Sequence, residues 1–241
     1  GGDVWAIDEG MHVGGGFNAL VAARRMGAEA VSLSPIGDGP YSSLIQAALT
    51  REGMGPADVL YYDGEFAGAY GYDYGDLGND DAAREALLRL PEHVRLILDT
   101  SYRGEMPSGI PFDNTIFVIG QDEVAGMGTR MTCDRTAFDG SRTFHGAAFE
   151  ATRLFDCHAL VPSGPEGAHF SRPNYGGEDL SWPTVTHYPA PSFGAEDPLE
   201  ARHVFSGVFA ASLARGLPIE RAIRLAVCAR ALATARPGVA T

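Results

Sequence analysis

Hydrophobic and polar positions change period many times along this chain. Residues 3–8 (Asp-Val-Trp-Ala-Ile-Asp) alternate and predict a short exposed strand. Gly14, Gly15 and Gly16 predict a tight loop. From Phe17 to Met26 the apolar residues recur at helical spacing, and Gly27 ends the run as a C-cap. Ala30 to Pro35 predicts a buried strand. Pro40 to Glu52 predicts a helix whose first turn tolerates the proline. Asp58 to Asp63 returns to a strand pattern. Residues 64–80 predict a loop, Asp81 to Leu90 a helix, and Val94 to Asp99 a buried strand.

A loop over 101–113 then leads to a strand at Asn114 to Ile119 and a short helix from Gln121 to Gly128. Ala147 to Phe155 predicts a helix and Ala159 to Val161 a strand. Residues 163–182 read as loop with short strands, and Thr184 to Tyr188 as extended. Helices over 201–215 and 219–234 close the chain. Such alternation predicts an α/β domain with a largely parallel sheet, helices on both faces, and ligands beyond the carboxyl ends of the strands. No repeat or linker divides it, so residues 1–241 read as one domain.

Charge and cysteine content narrow the function classes. Eighteen Lys+Arg against 31 Asp+Glu leave a net charge of −13. Phosphate-backbone affinity needs clustered cations, so the balance argues against nucleic acid as a partner and reads as a solubility device. Cys133, Cys157 and Cys228 are odd in number and too far apart for a CxxC pair. Buried thiols in a reducing cytoplasm are the expectation. No apolar run is long enough to span a bilayer. The seven histidines are scattered without metal-ligand spacing, and no GxSxG or GxxxxGK[ST] sequence occurs.

Four segments have residue types suited to ligand chemistry. Gly14-Gly15-Gly16-Phe17-Asn18 joins glycines, which let a ligand approach the backbone, to an amide that both donates and accepts. Ser163-Gly164-Pro165-Glu166-Gly167-Ala168 follows an apolar strand and suits a phosphate cradle of backbone N–H groups. Gly120-Gln121-Asp122-Glu123 places carboxylates where a hydrated Mg²⁺ can be held. Asp197 to Phe209 runs from a loop into a helix start, which favours an anion. Taken singly, each has an ordinary structural counterpart: a strand-to-helix turn, a loop, dipole compensation by first-turn acids, and a capped amphipathic helix.

Their order resembles the ribokinase (PfkB) family of sugar and nucleoside kinases. Gly14 to Asn18 looks like that family's first signature, and Ser34-Pro35-Ile36-Gly37-Asp38-Gly39 like its glycine-rich continuation. Leu96 to Arg103 is similar to its mid-chain strand that ends in Asp and reaches an Arg. Gly120 to Glu123 resembles its Asn-x-x-Glu, and Ser163 to Ala168 its nucleotide loop. Asp197 to Phe209 resembles its second signature, Asp-Thr-x-Gly-Ala-Gly-Asp-x-Phe.

The resemblance implies a three-layer α/β/α sandwich with a largely parallel central sheet and a small, reduced β lid, of which residues 3–13 are the remnant. It implies transfer of the ATP γ-phosphoryl group to a hydroxyl of a sugar or nucleoside-like molecule, with Mg²⁺ bridging the phosphates. Gly15, Gly16 and Asn18 would contact the acceptor. Gly164, Gly167, Ala201 and Arg202 would contact nucleotide, and Glu123 would assist the metal. Family dimers form through lid strands, and residues 3–8 and 11–13 are the stretches available for a homodimer here.

The chain departs from the family at the chemistry itself. Glu200 and Arg202 stand on the two glycines of the second signature, and His203 on its catalytic Asp. Gly120 replaces the motif Asn, Gly39 a usual Asp, and Pro162 stands near a usual Thr. The first family strand and most of the segment between Met54 and Pro56 are absent. The expectation is a reduced family member or a chain with further residues. A catalytically silent sugar- or nucleotide-binding protein of the same fold is the alternative function.

Overall fold

The computed structural model describes residues 2–7, 10–30, 32–36, 42–55, 59–61, 95–100, 115–121, 123–124, 143–174, 182–192 and 201–235. Two compact units emerge, Gly1–Gly71 with Pro191–Thr241, and Tyr72–Ala190. The expected elements over 64–80, 81–90 and 101–113 lie outside the described residues, as do Gly37, Gly39, Arg103, Cys133, Asp197 and Glu200.

Unit 1 opens with an antiparallel hairpin of β1 (Gly2–Ile7) and β2 (Gly10–Gly15), in which Asp3 pairs with Gly14 and Gly2 with Gly15. The glycine segment is therefore not the expected loop. Cross-strand pairing carries the strand through Gly15, and α1 (Gly16–Arg25) begins at the next residue. Gly27 ends α1 as anticipated. Its φ of 79° lets Gly27 N donate to Arg24 O and Ala28 N to Ala23 O, closing the last turn. Next come β3 (Ser32–Ile36), α2 (Ser42–Arg51) and β4 (Val59–Tyr61), with β3 and β4 parallel.

The C-terminal part of unit 1 is a helical pair, α4 (Ala201–Ala214) and α5 (Ile219–Thr234). Helix α4 is apolar over most of its circumference and buried to match, with Phe205 and Phe209 wholly enclosed. It packs on α1 and α5. At Gly207 the α1 contact is backbone to backbone. A Cβ there would run into the carbonyl of Ala19.

Unit 2 is built on a five-stranded sheet in the order β5 (Leu96–Thr100), β6 (Thr115–Ile119), β7 (His158–Pro162), β8 (Gly167–Arg172) and β9 (Thr184–Pro189). The first three strands are parallel, and β8 and β9 add as an antiparallel hairpin. Every residue of β6 is buried, as expected of a central strand covered on both faces. Helix α3 (Phe144–Phe155) packs its Ala147, Ala148 and Ala151 against Phe117, Ile119 and Val161. Those small residues let the helix approach the sheet closely, and Phe155 stacks on Phe117 with centroids 5.0 Å apart.

The cysteines correct one expectation. Cys157 is buried, and that burial pushes its thiol pKa up, aided by Asp156. Cys228 is exposed. Helix α5 buries the face of Ala222, Ile223, Ala226 and Val227, and Cys228 falls outside that stripe.

Candidate active site

Within unit 1, the expected acceptor and transfer residues sit on packed elements. Gly15 ends β2, Gly16 opens α1, and Asn18 in its first turn is completely buried. His203 lies four residues before Gly207, hence on the face of α4 that meets α1, one turn toward the helix start. It is partly exposed.

Ala201, Arg202 and His203 are the first three residues of α4. Asp156 is the one non-glycine residue with positive φ among the described residues, so Arg202 and His203 need no left-handed backbone. Where the resemblance expects a glycine and the catalytic Asp, Arg202 and His203 stand in a helical first turn. Ser206 Oγ donates to Arg202 O at 3.3 Å, one turn along.

A residue that sequence reasoning missed lies on the partner helix. A turn at Arg215 to Pro218 joins α4 to α5 and returns the chain antiparallel. Arg202 lies 12 residues before Ala214, and Arg230 lies 11 after Ile219. Both are about 17 Å from the turn at the helical rise. Arg230 Nε and Nη1 are buried without a hydrogen-bond partner among the described residues. Burial first, then the charge of Arg202, lowers the Arg230 pKa.

Within unit 2, Glu123 and the Gly164–Gly167 turn leave the same edge of the sheet. Glu123 follows β6 and the turn follows β7, and these strands run parallel, so both emerge at carboxyl ends. Asp99 lies toward the corresponding end of β5. Glu123 Oε2 accepts from Gly120 N at 2.6 Å, and Val124 N donates to Gly120 O at 3.1 Å. The carboxylate thus reaches back over its own helix start in a capping-box arrangement.

The nucleotide turn is tightly closed. Ser163 N donates to Gly167 O at 2.8 Å, Glu166 N to Ser163 O at 3.2 Å, and Gly167 N to Gly164 O. These donors are committed inside the turn, so it offers a ligand small, close backbone more than a ring of N–H groups. Its shape depends on Gly167, whose φ is 114°. A Cβ there would strike the carbonyl of Tyr188 and stand 2.8 Å from Ala190 N.

Behind the turn the structure gathers three histidines that the sequence scatters. The β8–β9 register sets His169 opposite His187, with ring centroids 4.4 Å apart, and His145 stands edge-on to His169 at 6.1 Å. Burial, then His187 and His145, lowers the His169 pKa to about 4. His187 Nε2 lies 2.8 Å from Glu166 O, which ties the cluster to the turn. No group of His, Cys, Asp or Glu suited to a metal ion occurs among the described residues.

The backbone course has solved counterparts. Ribokinase from Thermotoga maritima superposes with a TM-score of 0.69 at 19% identity, over 98% of this chain and 86% of that one. The chain has a ribokinase-like α/β fold. A Cryptococcus neoformans ribokinase solved with ADP matches at TM-score 0.70 and 16% identity, covering 99% of this chain and 94% of its own. Aminoimidazole riboside kinase from Salmonella enterica, solved with aminoimidazole riboside and an ATP analogue, matches at 0.72 and 17%, over 99% and 92%. No family model matches the sequence, and no curated protein matches it. Among the described residues no helix is long and apolar enough to cross a membrane.

Proposed function

We propose that the protein is an ATP-dependent kinase that phosphorylates a hydroxyl of a sugar or sugar-like small molecule. One observation carries this reading: a ribokinase-like fold covers 98–99% of the chain, including matches to proteins solved with ADP or with a riboside and an ATP analogue. The order of the motifs supports it.

Unit 1 supplies the acceptor and transfer groups in this reading. The amide of Asn18, beside the backbone of Gly15 and Gly16, orients the acceptor. His203 takes the hydroxyl proton on a ring nitrogen. As the acceptor oxygen bonds to the γ-phosphorus, the bridging oxygen leaves with ADP. Gly164, Gly167, Ala201 and Arg202 are the residues this reading assigns to nucleotide. Glu123 is the carboxylate that would hold Mg²⁺, and the ion would supply neutralisation of phosphate charge. The free thiols at Cys157 and Cys228 suit a reducing cytoplasm.

The second reading is a silent sugar- or nucleotide-binding protein. Its support is the helical first turn that carries Arg202 and His203 in place of glycine and Asp. ATP turnover across a panel of sugars separates the two. Turnover that falls about a hundredfold or more in His203→Ala supports a His base. Absent turnover with measurable ligand binding sinks the kinase reading. Turnover appearing only in His203→Asp with Glu200→Gly and Arg202→Gly marks a decayed kinase.

A further inference from the structure

The closed turn between β7 and β8 is held to the end of β9 through one carbonyl. Glu166 O accepts from the backbone N–H of Ala190 at 3.3 Å and from the His187 ring at 2.8 Å. A carbonyl only accepts, so Nε2 of His187 carries the proton and donates it to this bond. In the neutral ring Nδ1 is then the bare nitrogen. The donating ring is itself held in place. It stacks on His169 at 4.4 Å with planes 19° apart, and the β8–β9 register sets the two residues opposite each other. His169 is 8% exposed and stacks in turn on Phe144 of α3. His187 is exposed, yet its hydrogen bond runs to the turn.

The orientation of the Glu166–Gly167 peptide sets the φ of Gly167, which is 114°. Glycine permits that angle but does not select it, so the hydrogen bonds at the two ends of the peptide must. Gly167 N donates to Gly164 O inside the turn, and Glu166 O is the end that β9 holds. We propose that His187 is a positioning residue, whose Nε2–H holds the Glu166–Gly167 peptide, and through it the whole turn, in the geometry that receives a nucleotide. The hold on the turn follows from unit 2 alone, and its effect on a nucleotide rests on the kinase reading.

The test pairs NMR of the full chain with kinetics. Ring-nitrogen spectra of wild type show neutral His187 protonated at Nε2. His187→Phe keeps a ring against His169 and loses the donor. Amide exchange at Glu166, Gly167 and Ala190 then quickens about fivefold or more. KM for ATP rises by a similar factor, while KM for the sugar acceptor stays as in wild type. His187→Gln keeps an N–H donor at similar reach and restores most of both losses. His187→Met has that reach without the donor, matches His187→Phe, and takes its place if the Phe variant does not fold. His145→Ala removes the other imidazole that meets His169 and leaves turn exchange and KM unchanged. An Nδ1–H tautomer, or an equal loss in His145→Ala, overturns the inference. Quickened exchange with KM for ATP unchanged overturns the positioning role as well. Quickened exchange in the variants of a chain that neither turns over nor binds ATP keeps the hold on the turn and removes the kinase. Turnover with exchange and KM unchanged in the Phe and Met variants does the reverse.

Discussion

The turn after β7 and the opening of α4 both resemble glycine motifs, yet they are built by opposite means. At Gly167 the backbone takes a φ of 114° with carbonyl and amide atoms where a side chain would go. Only glycine fits, so the geometry of the turn depends on that residue. At Ala201 to His203 the chain has side chains, and the backbone is an ordinary helical turn. In the proposed reading, the chemistry there would pass to an imidazole and a guanidinium. A motif can thus persist as a shape in one unit and as a position in the other.

The largest effect expected from breaking this contrast is at Gly167. Gly167→Ala must relieve a backbone collision and adopt a positive φ, which costs roughly 3 kcal/mol or more. Arg202→Gly, which places the glycine of the resembled signature in α4, costs about 1 kcal/mol, since no left-handed backbone or backbone collision is at stake and helix propensity near a terminus is lost. Chemical denaturation of both variants measures the difference. Equal costs would mean that the turn is not fixed by Gly167.

The histidines behind the turn give the next effect. His169 is held neutral when folded, with a pKa of about 4, against an ordinary value near 6.5 in the unfolded chain. The unfolded state therefore binds more protons between these values, and stability falls as pH drops from 6.5 towards 4. The contribution is full above 6.5 and is lost as the pH falls towards 4. His158 shifts in the same direction, through burial, then Arg172 and Arg95. His169→Phe keeps a ring against Phe144, whose centroid is 6.2 Å away, and removes the titration. Its stability should depend less steeply on pH over that window, and a slope equal to wild type would discard the assignment.

Legibility in the sequence followed the range of the interaction that fixed each feature. Phe205, Val208 and Phe209 were readable as core because helical period alone puts them on one face. β6 was readable because a run buried on both faces needs no partner to be recognised. Gly14 and Gly15 were misread as loop because their conformation is set by pairing with Asp3 and Gly2. The histidine cluster was invisible because it depends on the β8–β9 register across a Gly- and Pro-rich segment. Arg230 carries no signal in the sequence, and only the packed structure shows two of its nitrogens buried. The site motifs were legible as an order of residues; what each residue touches was not.

A smaller effect comes from the helix that precedes β7 and its turn. Helix α3 in unit 2 has a conventional cap, with Thr143 Oγ1 accepting from Gly146 N at 3.0 Å. Thr143→Ala leaves that N–H to water and should cost about 1 kcal/mol. A loss measured by denaturation that matches the Gly167→Ala value would show the turn to be no more demanding than a helix cap.

The smallest change in stability should come from Glu123→Gln, and it separates two roles of one carboxylate. Gly120 N donates to Glu123 Oε2 at 2.6 Å, so the side chain caps the helix after β6. Glutamine retains the acceptor oxygen and fills the same place in a capping box. Its stability should lie within about 0.5 kcal/mol of wild type. Glu123→Ala loses the acceptor, and with it about 1 kcal/mol. If Glu123 also holds hydrated Mg²⁺, Glu123→Gln removes the charge that the ion requires and raises the Mg²⁺ concentration needed for half-maximal turnover. Unchanged Mg²⁺ dependence together with unchanged stability would confine Glu123 to capping, and the metal would need another carboxylate of this chain.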